Sequence, residues 1–271
     1  MGEAIGDVAG GRMPAATGRR TPWYRYPPDM TETSPADPAN QALVSQFSDD
    51  FGDRAYRDAV VDLLGVIAYG ELSAFERMVD DAEMAPTLGD KMAMAAMAVK
   101  EFGHVQPLMD RLIALGADPV AAMQPFEKPF DEFHAHTAPR DWWEGLIKAY
   151  VGDGLAADFY LEVAAFLDKD TRDLIVSSLE DSGHGDFVVT RVRAGIEADP
   201  RLGGRLALWG RRLMGEALSQ AQRTAADRDA LTALLAGGID RPGMDLASLS
   251  RMFTRLTERH TQRMSALGLA S

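Results

Sequence analysis

Two stretches of this chain place an acid three residues before a histidine: Glu101-Phe102-Gly103-His104 and Asp181-Ser182-Gly183-His184. Each follows a further acid set in an apolar run, Glu71 thirty residues before Glu101 and Asp153 twenty-eight before Asp181. The two halves repeat, with an offset of 80 for Glu101 to Asp181 and His104 to His184, and of 82 for Glu71 to Asp153. On a helix, an acid and a histidine three apart project from one face about one turn apart, so both can ligate one ion from the same side. A neighbouring helix then supplies another carboxylate. Glu71, Glu101, His104, Asp153, Asp181 and His184 together offer four carboxylates and two imidazoles, enough for a pair of metal ions. Such a donor set suits iron, manganese or zinc, and of these iron or manganese adds redox chemistry.

The surroundings favour ligation over solvation. Ile67, Ala68 and Phe75 share a helix face with Glu71, and an unpaired carboxylate on a buried face is costly unless it is coordinated or protonated. The competing reading makes the four acids solvated and the histidines hydrogen-bonded core residues. A third acid–x–x–His match, Asp131 to His134, lies between Pro129 and Pro139. It reads as a chance match, with His134 and His136 in a loop. Tyr150, three residues before Asp153, is a candidate hydrogen-bond partner for that acid, although core packing is the stronger reading of it.

These residues must be carried on helices. From Arg54 onward, apolar residues recur at spacings of three and four among Ala, Leu, Met, Glu and Arg. The pattern predicts helices over about 54–84, 89–115, 141–167, 171–197, 203–235 and 246–267, with no period-two strand. Short turns make antiparallel neighbours of the first and second helices and of the third and fourth. Pro119, Pro125, Pro129 and Pro139 break residues 117–140 into a connection long enough to cross a bundle from end to end. The expected fold is all-α: a four-helix bundle with a long crossover between helix pairs and one or two additional C-terminal helices. Its expected divisions are a flexible tail over 1–48, the bundle with a fifth helix over 49–237, and a C-terminal helix over 238–271. Within the tail, Arg19-Arg20-Thr21-Pro22-Trp23-Tyr24-Arg25-Tyr26 mixes basic and aromatic residues, as a docking segment would.

Composition narrows the chemistry. The 271 residues include no cysteine, which removes disulfides, thiolate zinc, iron–sulfur clusters and cysteine nucleophiles. A formal charge of −13 argues against an extended nucleic-acid surface. One local exception runs from Arg191 to Arg212, where Arg205, Arg211 and Arg212 are candidate phosphate contacts. Met1 to Pro14 contains Asp7 and several glycines with no apolar core, so neither signal peptide nor membrane span is expected, and the cytoplasm is the expected compartment. Met92, Met94 and Met97, at helical spacing, read as core filler.

At the quoted residues the sequence resembles the ferritin-like family related to the bacterial tRNA 2-methylthio-isopentenyladenosine hydroxylases, in particular its shorter actinobacterial branch. Glu71-Leu72-Ser73-Ala74-Phe75-Glu76-Arg77 is similar to that family's helix motif, and Glu101 to His104 to its Glu–x–x–His. The resemblance spans about residues 55–235. It departs from the family at Asp153 and Asp181, where the family has Glu; each Asp reaches one methylene less. The resemblance implies a ferritin-like bundle with a di-iron centre, iron or alternatively manganese, ligated by the six residues named above with one or two bridging carboxylates. It further implies a monooxygenase that uses O2 as co-substrate to hydroxylate a prenylated tRNA base or another apolar small molecule, with a separate electron donor. A homodimer is expected. The alternatives are a metal-binding or iron-oxidising protein without an organic substrate, and a helical scaffold with a degenerate site.

Overall fold

The computed structural model describes residues 54–179, 185–236 and 246–271, and within them every regular element is helical. Helix α1 spans Arg54–Asp81 and runs through a 3-10 turn, Ala82–Met84, into α2, Leu88–Ala114. Thr87 caps α2 by accepting from Asp90 N at 3.1 Å, while its hydroxyl donates to Asp90 Oδ2 at 2.8 Å. Gly116 ends that helix at a φ of 72°, a left-handed conformation glycine adopts without penalty. Arg57 Nε, near the start of α1, donates to Leu115 O just past the end of α2 at 2.8 Å, which fixes the two helices as antiparallel.

The crossover is more helical than its four prolines predict. It holds α3 (Pro119–Met123), a 3-10 turn (Gln124–Phe126) and α4 (Glu127–His136). Proline is accepted in a first turn, where its missing N–H has no intrahelical partner, and Pro119 takes that place behind the Asp118 cap. His134 and His136, expected in a loop, therefore sit on α4. Gly65 lets the crossover press onto α1, since a Cβ there would lie 2.3 Å from Ala122 O.

The third bundle helix is interrupted. Helix α5 (Trp142–Ile147) passes through a π-turn, Lys148–Gly152, into α6 (Asp153–Ala164). Inserting such a turn shifts the faces presented on its two sides and recurs at functional sites. The expected fourth helix is described as α7 (Lys169–Ser178) and α8 (Gly185–Ala198). Arg111, in the last turn of α2, reaches Asp168 Oδ1 at 3.2 Å and Thr171 Oγ1 at 2.9 Å beside α7, and Arg191 on α8 reaches Asp90 Oδ2 at 2.9 Å. Helix α9 (Pro200–Asp227), α10 (Asp229–Ala236) and α11 (Leu246–Ala266) complete the described chain. The expected fifth helix thus divides at Arg228, whose guanidinium pairs with Asp62 on α1. The expected tail, 1–48, lies outside the described residues.

Apolar packing forms two large cores along the bundle, with a smaller cluster around Met252 and Leu256. One gathers Leu63, Leu64, Ile67, Leu108, Leu112, Phe126 and Val163; the other gathers Met78, Met94, Met97, Leu146, Val151 and Leu206. Along α1, α2 and α6 the boundary between them falls at Glu71, at Glu101 and His104, and near Asp153. Helix α11 lies against α6 through buried charge pairs: Asp158 with Arg263 and Arg259, and Glu162 with Arg255 and Arg259. No described helix is long and apolar enough to cross a membrane.

Candidate metal centre

Glu71 faces inward because it continues the buried face of α1, on which Ile67 and Ala68, one turn earlier, are fully buried. The α1–α2 turn brings residues 71 and 104 to the same level. His104 Nδ1 lies 3.1 Å from Glu71 Oε2 and 4.0 Å from Glu101 Oε2. One ligand atom from each of Glu71, Glu101 and His104 lies within 4.8 Å of the other two, close enough to converge on a metal ion.

The electrostatics mark this as a place for a cation. Burial, with Asp153 adding repulsion, pushes the Glu71 carboxyl up to about 8, against a hydrogen bond from Glu101 that acts the other way. Burial and the adjacent Glu71 hold Glu101 well above the ordinary carboxylate range. Two buried carboxyl groups side by side cannot both ionise without positive charge between them. A proton supplies that charge weakly, and a divalent ion supplies it while also using the His104 lone pair. The residues present therefore fit a metal ion of the nitrogen- and oxygen-binding kind.

Asp153 faces the same centre from the third helix. It raises the pKa of Glu71 and of Tyr160, and with Glu71 it lines a cavity of about 230 Å³. Asp181 and His184 lie outside the described residues. Tyr150 is buried within the π-turn and belongs to the core around Leu146 and Val151. Burial raises the pKa of a further tyrosine, Tyr160, with Glu71 and Asp153 adding to it, and its hydroxyl lies 3.3 Å from where a Cβ on Gly70 would stand. Sequence reasoning passed over it, although its position two turns after Asp153 on the same helix face was readable. Also missed was a polar group at one end of the cavity, Arg77, Asp81, His134 and Lys148, with Ser73 bonded to His134. There His134 Nε2 meets Ser73 Oγ at 2.7 Å.

The arginines considered for phosphate contact bond within the chain. Arg205 reaches Asp141 at 2.7 Å and Glu144 at 3.0 Å, Arg211 donates to Ala270 O at 3.1 Å, and Arg212 donates to His136 O at 2.7 Å.

An antiparallel helical bundle with an inward-facing Glu/Glu/His cluster on its first pair is the ferritin-like arrangement. Residues 54–238 match the family described as ferritin-like domain, actinomycetes, and the chain belongs to it. The fold is also similar to the solved structure of protein 19 with aldehyde deformylating oxidase activity, from Synechococcus. The TM-score is 0.61 at 20% sequence identity, covering 81% of this chain and 94% of that one. No curated protein matches the chain.

Proposed function

We propose that this protein is an oxygen-activating di-iron oxidoreductase that hydroxylates an apolar small molecule held beside Glu71 and Asp153. The observation that carries the reading is the double position of Glu71. It is bonded to His104 in the carboxylate–histidine cluster, and it also forms part of the wall of a cavity to which Leu63, Val66, Phe130, Phe159 and Leu256 contribute apolar surface.

Glu71, Glu101 and His104 would hold one ion. Asp153 would hold the second, with Asp181 and His184 as its further ligands. This division is supported by the anchoring of α7 and α8, the helices on either side of 180–184, to opposite ends of α2 through Arg111 and Arg191. Iron bound there supplies the activation of O2. Around it, the aromatic and aliphatic walls exclude water that would quench an oxidant, and they leave a C–H bond as the group presented to the site. Tyr160, kept neutral by burial and by both acids, retains a phenolic proton to donate beside them. Electrons would come from a separate donor protein.

An apolar small molecule is preferred to tRNA because Arg205, Arg211 and Arg212 are engaged within the chain. It is preferred to iron storage because that use calls for an open, polar interior. The oxidase activity of the Synechococcus protein on the same fold points the same way.

The test is elemental analysis of freshly purified protein beside the Glu101→Ala and His104→Ala variants. About two irons per chain are expected, with both variants depleted. A metal-free wild type whose melting temperature does not respond to ferrous iron would overturn the reading.

A further inference from the structure

The cavity beside Glu71 is not uniform along its length. Helix α1 contributes Leu63, Val66, Gly70, Glu71, Ala74, Arg77, Met78 and Asp81, and the third bundle helix contributes Lys148 through Val163 in the opposite direction. Beyond Glu71 toward Leu63 the walls are Phe130, Phe159, Val163, Leu231, Leu234 and Leu256. Toward Asp81 they carry Arg77 and Lys148, the only cationic side chains in the lining.

Those two cations are incompletely matched. Lys148 is 7% exposed, and its ammonium stands 5.8 Å from the Phe133 ring centroid. The counter-charge that acts on it is Asp81, a carboxylate that burial pushes up to about 6. Arg77 turns its outer nitrogens toward the exposed Glu76 at 3.8 Å and Asp80 at 3.5 Å, leaving its Nε buried with no hydrogen-bond partner. His134 adds a second buried nitrogen, Nδ1, without a partner. A buried guanidinium N–H without an acceptor bears an uncompensated desolvation cost, and the Lys148 ammonium beside it has an aromatic ring rather than an acceptor against it. An anionic group would satisfy both.

Resting on the proposed use of this cavity, we infer that its ligand is a single-chain amphiphile whose carboxylate lies between Lys148 and Arg77, with its hydrocarbon chain running past Glu71 and Asp153 toward Leu231, Leu234 and Leu256. Arg77 follows Glu71 by six residues, about 9 Å along the helix. The head is therefore recognised at a distance from the metal cluster, and a methylene of the chain is what lies beside it.

Isothermal titration calorimetry with decanoate and with 1-decanol separates head recognition from tail burial. The expected result is decanoate binding about tenfold tighter or more to the wild type, the ratio a charge-assisted hydrogen bond supplies. Lys148→Met should abolish the preference while 1-decanol binds within about twofold of wild type, and Lys148→Arg should retain it. Helix content by circular dichroism confirms that the variants fold. Equal affinity of the two ligands for wild type, no binding of either, or a preference that survives in Lys148→Met would overturn the inference. Repeating the titration on Glu101→Ala keeps this question apart from the metal reading: loss of metal with retained preference leaves the amphiphile site standing.

Discussion

His104 Nδ1 lies 3.1 Å from Glu71 Oε2, joining α1 to α2 through two side chains separated by 33 residues in sequence. The contact lies at the boundary between the two apolar cores, with Glu101 Oε2 4.0 Å from the same nitrogen. The bundle therefore places like-charged acids in its interior, where without a cation they oppose folding.

That opposition can be measured by making Glu71 uncharged without changing its shape. In metal-depleted protein at pH 8, Glu71→Gln is expected to stabilise the fold by about 1–3 kcal/mol, because it removes a buried acid whose ionisation burial and Asp153 resist. For a domain of this size each kcal/mol raises the melting temperature by about 2–4 °C. The same substitution should strip bound metal, so calorimetry and elemental analysis should move in opposite directions. A lower melting temperature in the metal-depleted variant would count against burial as the dominant effect.

The pH dependence follows with a definite sign. The folded value of Glu71 is raised to about 8 from an ordinary 4.5. Between those values the native state binds more protons than the unfolded one, so this contribution to stability is present below pH 4.5 and is lost as pH rises through 8. Glu101 shifts in the same direction. On the acid side, burial holds His134 down to about 3 and His260 down to about 4 from 6.5, so their contribution is lost as pH falls below 6.5. Metal-depleted protein should thus lose stability from pH 6 to 8. Added ferrous or manganous ion should raise the melting temperature more at pH 8 than at pH 6, because the ion competes with the proton on Glu71. A gain independent of pH would show that Glu71 is not a ligand.

What the sequence disclosed follows from how strongly each feature is local. The Glu71, Glu101 and His104 convergence was readable because spacings of three and four and a short turn are enough to predict one face meeting another. The helices were readable from the same periodicity, and Asp153 from the 82-residue offset. The π-turn at Lys148–Gly152 was not readable, because no residue there is unfit for an ordinary α-turn; tertiary packing decides it. Crossover helix α4 was hidden by Pro129, which falls in its first turn, where proline is tolerated. Lys148, Arg77 and His134 were invisible as a group, because they come from three different elements and meet only once the bundle closes.

The close approach of crossover and bundle gives a sharp steric expectation. Gly65→Ala would improve helix propensity by about 1 kcal/mol in isolation. Its Cβ, however, would lie 2.3 Å from Ala122 O, a backbone atom that cannot rotate away. The net effect should be destabilisation of about 1–3 kcal/mol from overpacking, read as a lower denaturation midpoint. Unchanged or higher stability would mean that α3 can shift away from α1 at little cost.

The attachment of α11 turns on Asp158, which is fully buried and pairs with Arg263 on that helix. Arg259 stands 3.6 Å from the same carboxylate and 3.3 Å from Glu162, so two acids of α6 face three arginines of α11. Replacing Asp158 by alanine leaves Arg263 beside the Gly154 carbonyl, to which it already donates at 2.7 Å, as the nearest remaining acceptor. Breaking a buried pair from one side costs about 3–5 kcal/mol, whereas replacing both partners by apolar groups of similar size is often neutral. Asp158→Ala is therefore expected to lower the melting temperature by roughly 10 °C and to open α11 to limited proteolysis, while Asp158→Leu combined with Arg263→Met recovers most of the loss. If the single and double variants were equally destabilised, the charge pair would not be the element that holds α11 to α6, and the apolar contacts of Met252, Leu256 and Met264 would have to carry that attachment.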